Sequence, residues 1–247
     1  MRKNKKKSLF YKFVVVLIRI FYRKRIFVGL ENIPKEHVLL IGNHAQIHGP
    51  LSSQLFYKDY KYIWCIGQMT KLKEVPDYAY KDFWVYKSKY IRWFYKLLSY
   101  LIAPICSYAL SRSDVIPVYK DNRIRKTIST TIEKLNDGAK IIIFPEEHIL
   151  YNEIINEFQT GFVDIARMYY RKYNIELSFV PMYNAAKLRK IVFGKPIKYD
   201  STLDPETQKK VVCEYIKEEI TRIAKELPRH KVIPYGNIKK KDYPYSK

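Results

Sequence analysis

Acid is scarce in this 247-residue chain. Its 24 Asp and Glu stand against 46 Lys and Arg, a formal net charge of +22, and no carboxylate occurs before Glu31. Such an imbalance implies an anionic partner: nucleic acid, an anionic lipid surface or a phosphorylated substrate. Cysteine is scarce too. Cys65, Cys106 and Cys213 are odd in number and lack metal-ligand spacing. They read as reduced core thiols in a cytosolic setting, and no metal site is expected. The apolar run Phe13-Val14-Val15-Val16-Leu17-Ile18 is too short to span a bilayer and is interrupted by Arg19. No small-residue cleavage site follows it, which argues against a secretory signal. There is no internal repeat. No helix-turn-helix, zinc-finger or RNA-binding aromatic signature occurs, and the basic residues are spread along the chain. Nucleic acid is therefore not an expected partner.

What is present is a globular composition, 47% hydrophobic and 28% charged, long enough for one sizeable core with added membrane-facing segments. Tyrosine is abundant at 23 residues, and aromatic rings with a polar tip suit a membrane–water interface. A genome-wide composition bias is the other source of such Lys, Ile and Tyr excess. Residues 1–25 begin with Arg2, Lys3, Lys5, Lys6 and Lys7 and end in Arg23-Lys24-Arg25. They read as a basic amphipathic segment lying on an anionic membrane surface, or as an ordinary helix packed on the core. Residues 26–235 form the main domain, and 236–247 a loose basic tail.

Along that domain, short apolar runs at 26–28, 38–41, 62–66, 115–119, 141–144, 177–183 and 191–193 read as strands. Helical patterns occupy 50–57, 123–135, 161–172 and 204–226. Asp204 is placed to cap the last of these, with Pro205 near its start. The alternation indicates an α/β fold, a mixed central sheet flanked by helices, with an interfacial helix at the N-terminus. Between 78 and 110 lies an aromatic, basic, helix-like region that includes Trp84, Tyr86, Trp93 and Tyr95. Pro104 is expected to end or kink it. It either builds an acyl-chain tunnel or bilayer contact, or covers the sheet.

The chemistry-bearing stretch is Val38-Leu39-Leu40-Ile41-Gly42-Asn43-His44-Ala45-Gln46-Ile47-His48-Gly49-Pro50. A strand exits into a polar loop with two histidines and then into a helix, and ligands collect at such strand ends. His44 suits general-base work because imidazole titrates near neutral pH. Phe144-Pro145-Glu146-Glu147 follows a second buried strand. Lys120 and Arg123 follow a third, where a cation is apt for phosphate.

Asn43-His44 resembles the opening of the catalytic motif of the 1-acylglycerol-3-phosphate acyltransferase family: Asn-His, four residues, then Asp. Gly49 stands where that Asp would be. Phe144-Pro145-Glu146 resembles the family's Phe-Pro-Glu-Gly motif, with Glu147 for Gly and Ile149 for its Arg. The segments Gly29-Leu30-Glu31-Asn32, Ile116-Pro117-Val118, Phe158-Gln159-Thr160-Gly161, Val180-Pro181 and Gly194-Lys195-Pro196-Ile197 fit in order. The resemblance implies a single-domain acyltransferase fold, with a fatty acyl group passing from a thioester donor to the hydroxyl of a lysophospholipid or similar acceptor. His44 is the expected base. Glu146 or Glu147 is a candidate for the missing acid, or His48 acts in a rearranged role. Asn43, His48, Lys120, Arg123 and Glu147 are expected to bind substrate. No cofactor is expected; coenzyme A, acyl carrier protein or a related carrier would bring the acyl group as co-substrate. The implied location is the cytoplasmic face of the cell membrane, peripheral or monotopic. The alternative is a catalytically impaired protein of this fold that binds lipid or a partner enzyme.

Overall fold

The computed structural model describes residues 8–84, 87–236 and 238–247. The expected basic run of residues 1–7, and Tyr86, lie outside them. In chain order the elements are α1 (Leu9–Phe21), β1 (Ile26–Val28), β2 (Val38–Gly42), α2 (His48–Phe56), β3 (Lys61–Ile66), α3 (Val75–Ala79), α4 (Arg92–Arg112) and β4 (Val115–Val118). They continue with α5 (Ile124–Asn136), β5 (Lys140–Ile143), β6 (Glu146–Leu150), β7 (Asn156–Phe158), α6 (Val163–Tyr173), β8 (Ser178–Ala185), β9 (Lys190–Phe193), β10 (Ile197–Lys198) and α7 (Pro205–Glu226). Contacts divide the chain into two compact units. One comprises residues 1–18 and 64–130, the other 19–63 and 131–247.

The larger unit is built on a mixed sheet in the order β1-β9-β8-β2-β5-β3, with β10 on β8. β2 runs parallel to both β5 and β8. A strand flanked on both sides and covered on both faces must be apolar throughout, and every residue of β2 and of β8 is buried. β9 turns back antiparallel on β8, and β1 then runs parallel to β9. Consequently β1 opposes β2, and its first residue lies at the sheet end where β2 exits. α7 begins as expected: Asp204 accepts from the Glu206 and Thr207 amides at 3.0 and 3.1 Å.

Glu146-Glu147-His148 follows the buried strand β5, as expected, and opens β6, which forms a two-stranded ribbon with β7. One expectation is corrected in this unit. Residues 236–247 are not a loose tail. The Val232 amide donates to the Pro244 carbonyl at 2.9 Å and the Ser246 amide to that of His230 at 3.0 Å. Tyr243 is buried with Ala45 and Ile233, because an aromatic ring gains more from that cover than from water. The end of the expected surface segment is likewise built in, since Arg25 is buried.

In the smaller unit α1 lies against α4. Ser8 Oγ meets Tyr108 Oη at 2.6 Å, and Tyr11 Oη meets Ser113 Oγ at 3.0 Å. α4 passes through Pro104 without ending. The ring removes only one backbone donor, and the turns on either side hold. α1 leaves Leu9, Phe10, Phe13 and Val16 exposed, and α4 exposes Trp93, Leu97, Tyr100, Leu101 and Ile105. No helix among the described residues is long and apolar enough to cross a membrane.

Candidate active site

His44 leaves the end of β2 on a loop bent back sharply by Ala45 and Gln46, both left-handed at φ 45° and 54°. Such backbone is strained in non-glycine residues and persists only where the surroundings enforce it. Here the bend swings the Gln46 carbonyl against the imidazole, and it makes a short hydrogen bond with Nδ1. A carbonyl only accepts, so Nδ1 carries the proton and Nε2 is left with its lone pair. The ring is flanked by Phe144, with centroids 5.5 Å apart, and by Tyr235, 5.4 Å away. Burial among these rings lowers the His44 pKa below its usual 6.5, and the Gln46 bond partly offsets that. The neutral ring therefore prevails at neutral pH, the state a general base requires.

Glu146 approaches His44 from below, but not at the ring. Oε2 accepts from the His44 backbone amide at 2.5 Å, and Oε1 accepts from the Asn156 amide at 3.1 Å. The carboxyl ties the His44 loop to β7. Both carboxylate oxygens of this candidate acid are thus engaged by backbone amides rather than by the imidazole. Burial pushes its pKa up to about 7 against the pull of the two amides. Glu147, the next residue of β6, is only partly buried where Glu146 is fully so.

Asn43 also serves the loop. Its Oδ1 accepts from the Asn184 amide at 2.6 Å, and its Nδ2 donates to the Asn184 carbonyl at 3.4 Å. The side chain thus adds a rung beyond the last β2–β8 pair. His48 opens α2, two residues ahead of the expected start. Its Nδ1 meets Tyr22 Oη at 2.8 Å. Gly49 explains its own identity. A Cβ there would lie 2.7 Å from the His44 carbonyl oxygen, 2.8 Å from Phe144 Cε1 and 2.9 Å from the Asn43 carbonyl oxygen. Any side chain would collide with backbone. Lys120 and Arg123 belong to the other unit. Lys120 is exposed. Arg123 is held by Asp121, with Nη2 2.6 Å from Oδ2, and lies near Glu74 at 3.7 Å. Its charge is therefore already matched.

Sequence reasoning missed several residues here. The Gln46 carbonyl carries no side-chain signal. Tyr235 is distant in sequence, and its ring lies between His44 and that of His148, 4.7 Å away. Among the described residues no group of His, Cys, Asp or Glu could hold a metal ion.

An anchored histidine at a parallel strand's exit, flanked by two aromatic rings, is the centre of the candidate site in this α/β fold. Residues 75–184 match the family model described as Acyltransferase. That span includes Glu146 and Glu147 and leaves the His44 loop outside. The chain also shares its fold with the 1-acyl-sn-glycerophosphate (LPA) acyltransferase PlsC of Thermotoga maritima. The identity is 16% and the TM-score 0.50, over 88% of this chain and 83% of that one. No curated protein matches the sequence. The family match is confined to residues 75–184, and the likeness to the Thermotoga protein, at 16% identity, is one of fold.

Proposed function

We propose that the protein transfers a fatty acyl group from a thioester donor to the hydroxyl of a membrane-borne, lysophospholipid-type acceptor, with His44 as general base. The observation that carries this reading is the fixed tautomer: Nδ1 is held by the Gln46 carbonyl and Nε2 is left to accept a proton. His44 Nε2 takes the acceptor's hydroxyl proton as the oxygen attacks the thioester carbonyl. The tetrahedral intermediate collapses with loss of the thiolate, and the imidazolium returns the proton to sulfur. Coenzyme A or acyl carrier protein is the proposed carrier. The Thermotoga protein's title names an LPA acyltransferase, which agrees with this acceptor class.

The same proposal places the protein on the cytoplasmic face of an anionic membrane without spanning it. The apolar and aromatic residues exposed on α1 and α4 and the charge of +22 support that placement. A second reading, an impaired enzyme that binds lipid or a partner protein, draws on one observation: a neutral carbonyl holds Nδ1 where a carboxylate would better stabilise the imidazolium.

Purified protein in anionic vesicles, offered lysolipid acceptors with acyl-coenzyme A or acyl carrier protein thioesters, separates the two. Acyl transfer that falls about 10²- to 10⁴-fold in His44→Ala supports the enzyme. Equal rates for the two proteins would reject it.

A further inference from the structure

Arg25 is 6% exposed and pairs with no carboxylate among the described residues. Its Nε donates to Ser52 Oγ at 3.2 Å, and its guanidinium carbon lies 4.4 Å over the Tyr22 ring. Tyr22 Oη meets Ser52 Oγ at 3.1 Å and His48 Nδ1 at 2.8 Å. These contacts fix the guanidinium but occupy only one of its five N–H donors. A buried cation without an anion costs several kcal/mol. This one is held in place by neutral groups, an arrangement that suits a ligand rather than a structural pair.

Topology places this charge at the catalytic end of the sheet. β1 runs parallel to β9 from the Ile26–Lys190 pair, and β9 runs antiparallel to β8, which is parallel to β2. Arg25, just before β1, therefore lies at the end where β2 delivers His44. The Ile26 amide donates to the Arg189 carbonyl at 2.9 Å, so the β8–β9 turn, with Lys187, shares that end. The charges of Arg25 and Lys187 both disfavour a proton on His48, after burial, which marks a convergence of positive charge. His48 itself follows closely on the base, since the Gly49 amide donates to the His44 carbonyl at 2.9 Å. The sequence-derived alternative, Arg123, is already paired with Asp121.

We propose that Arg25, with Lys187 and His48 beside it, forms an oxyanion subsite that takes the phosphate of the acceptor. The inference rests on the acyltransferase reading for its biological ligand but not for its test. The planar guanidinium fork matches two phosphate oxygens, and with Nδ1 accepting from Tyr22 Oη the neutral His48 ring donates from Nε2.

The protein is titrated with inorganic phosphate, with glycerol 3-phosphate, and with 1-acylglycerol 3-phosphate carried in neutral phosphatidylcholine vesicles. The His48 ring resonances, assigned through His48→Gln, report binding. Saturable shifts with all three ligands support a phosphate subsite. Shifts with the lipid alone support the same subsite with a lipid headgroup as its source. Arg25→Gln is expected to weaken binding about 10- to 100-fold. Arg25→Lys keeps the charge but loses the fork, and is expected to fall between. Its thermal melt, compared with that of the unsubstituted protein, identifies folded material. No shift with any ligand, or a folded Arg25→Lys protein whose affinity equals that of the unsubstituted one, overturns the proposal. Loss of acyl transfer in the vesicle assay with phosphate binding intact would reject the acyltransferase reading and leave the subsite standing.

Discussion

Glu146 holds His44 by its backbone amide, at 2.5 Å, and leaves the imidazole to the Gln46 carbonyl. Orientation of the imidazole and anchorage of its loop are thus divided between two groups. A backbone carbonyl fixes the tautomer at no cost in buried charge, and the carboxyl is spent where a buried amide needs an acceptor.

This division makes Gly49→Asp damaging rather than restorative. The new Cβ meets two backbone oxygens, neither of which can swing away. Overpacking of this kind costs about 1–3 kcal/mol. Both the melting temperature and the turnover are expected to fall, with Gly49→Ala showing most of the loss in stability. A gain in turnover for Gly49→Asp would contradict the geometry.

The acid limb of kcat/KM should break below pH 6.5, because burial lowers the His44 pKa and so extends the neutral base to lower pH. Tyr235→Ala removes one of the rings that exclude water from His44. The break is expected to move up toward 6.5, read from pH–rate profiles of the two proteins. An unmoved break would mean that Tyr235 contributes nothing to that burial.

Glu146 gives stability a pH dependence of definite sign. Its pKa is raised to about 7 in the fold, against about 4.3 in an unfolded chain. Between those values the folded state binds the extra proton, so this group's contribution to stability falls as pH rises from about 4.3 to 7. Glu146→Gln abolishes that slope while losing one amide acceptor, a cost of about 1–3 kcal/mol at low pH. Denaturant midpoints for both proteins at several pH values between 4.5 and 7.5 check it. The difference between the two should shrink as pH rises.

Tyr243→Phe removes the bond from Gln46 Nε2, 3.0 Å long between residues 197 apart in sequence. The expected loss is about 0.5–1.5 kcal/mol. Because the lost bond leads to the His44 loop, faster amide exchange at Ala45 and Gln46 should accompany it, and hydrogen-exchange spectroscopy reads this directly.

The sheet was legible because its central strands are buried on both faces. β2 and β5 therefore had to be unbroken apolar runs, and no helix-period pattern competes within them. β6 was illegible because Glu146-Glu147-His148 is polar, and its strand character comes from the ribbon with β7. The loop's importance could be read from Asn43 and His44, but not the means of holding it. Gln46 acts through its backbone carbonyl, Asn43 through a pairing with β8, and Arg25 was one cation among 46. The folded tail was hidden by its lysines, since the contacts that dock it come from Tyr243, Ser246 and backbone groups.

The docking of residues 230–246 beside the histidine loop also sets an order of events during synthesis. The loop leaves the ribosome early, yet the ring of Tyr235 and the hydroxyl of Tyr243 arrive only after every strand and helix of the sheet domain has been made. A nascent chain that has assembled its sheet still lacks the Tyr235 ring and the Tyr243 hydroxyl, so the cover over the His44 loop is completed after the sheet.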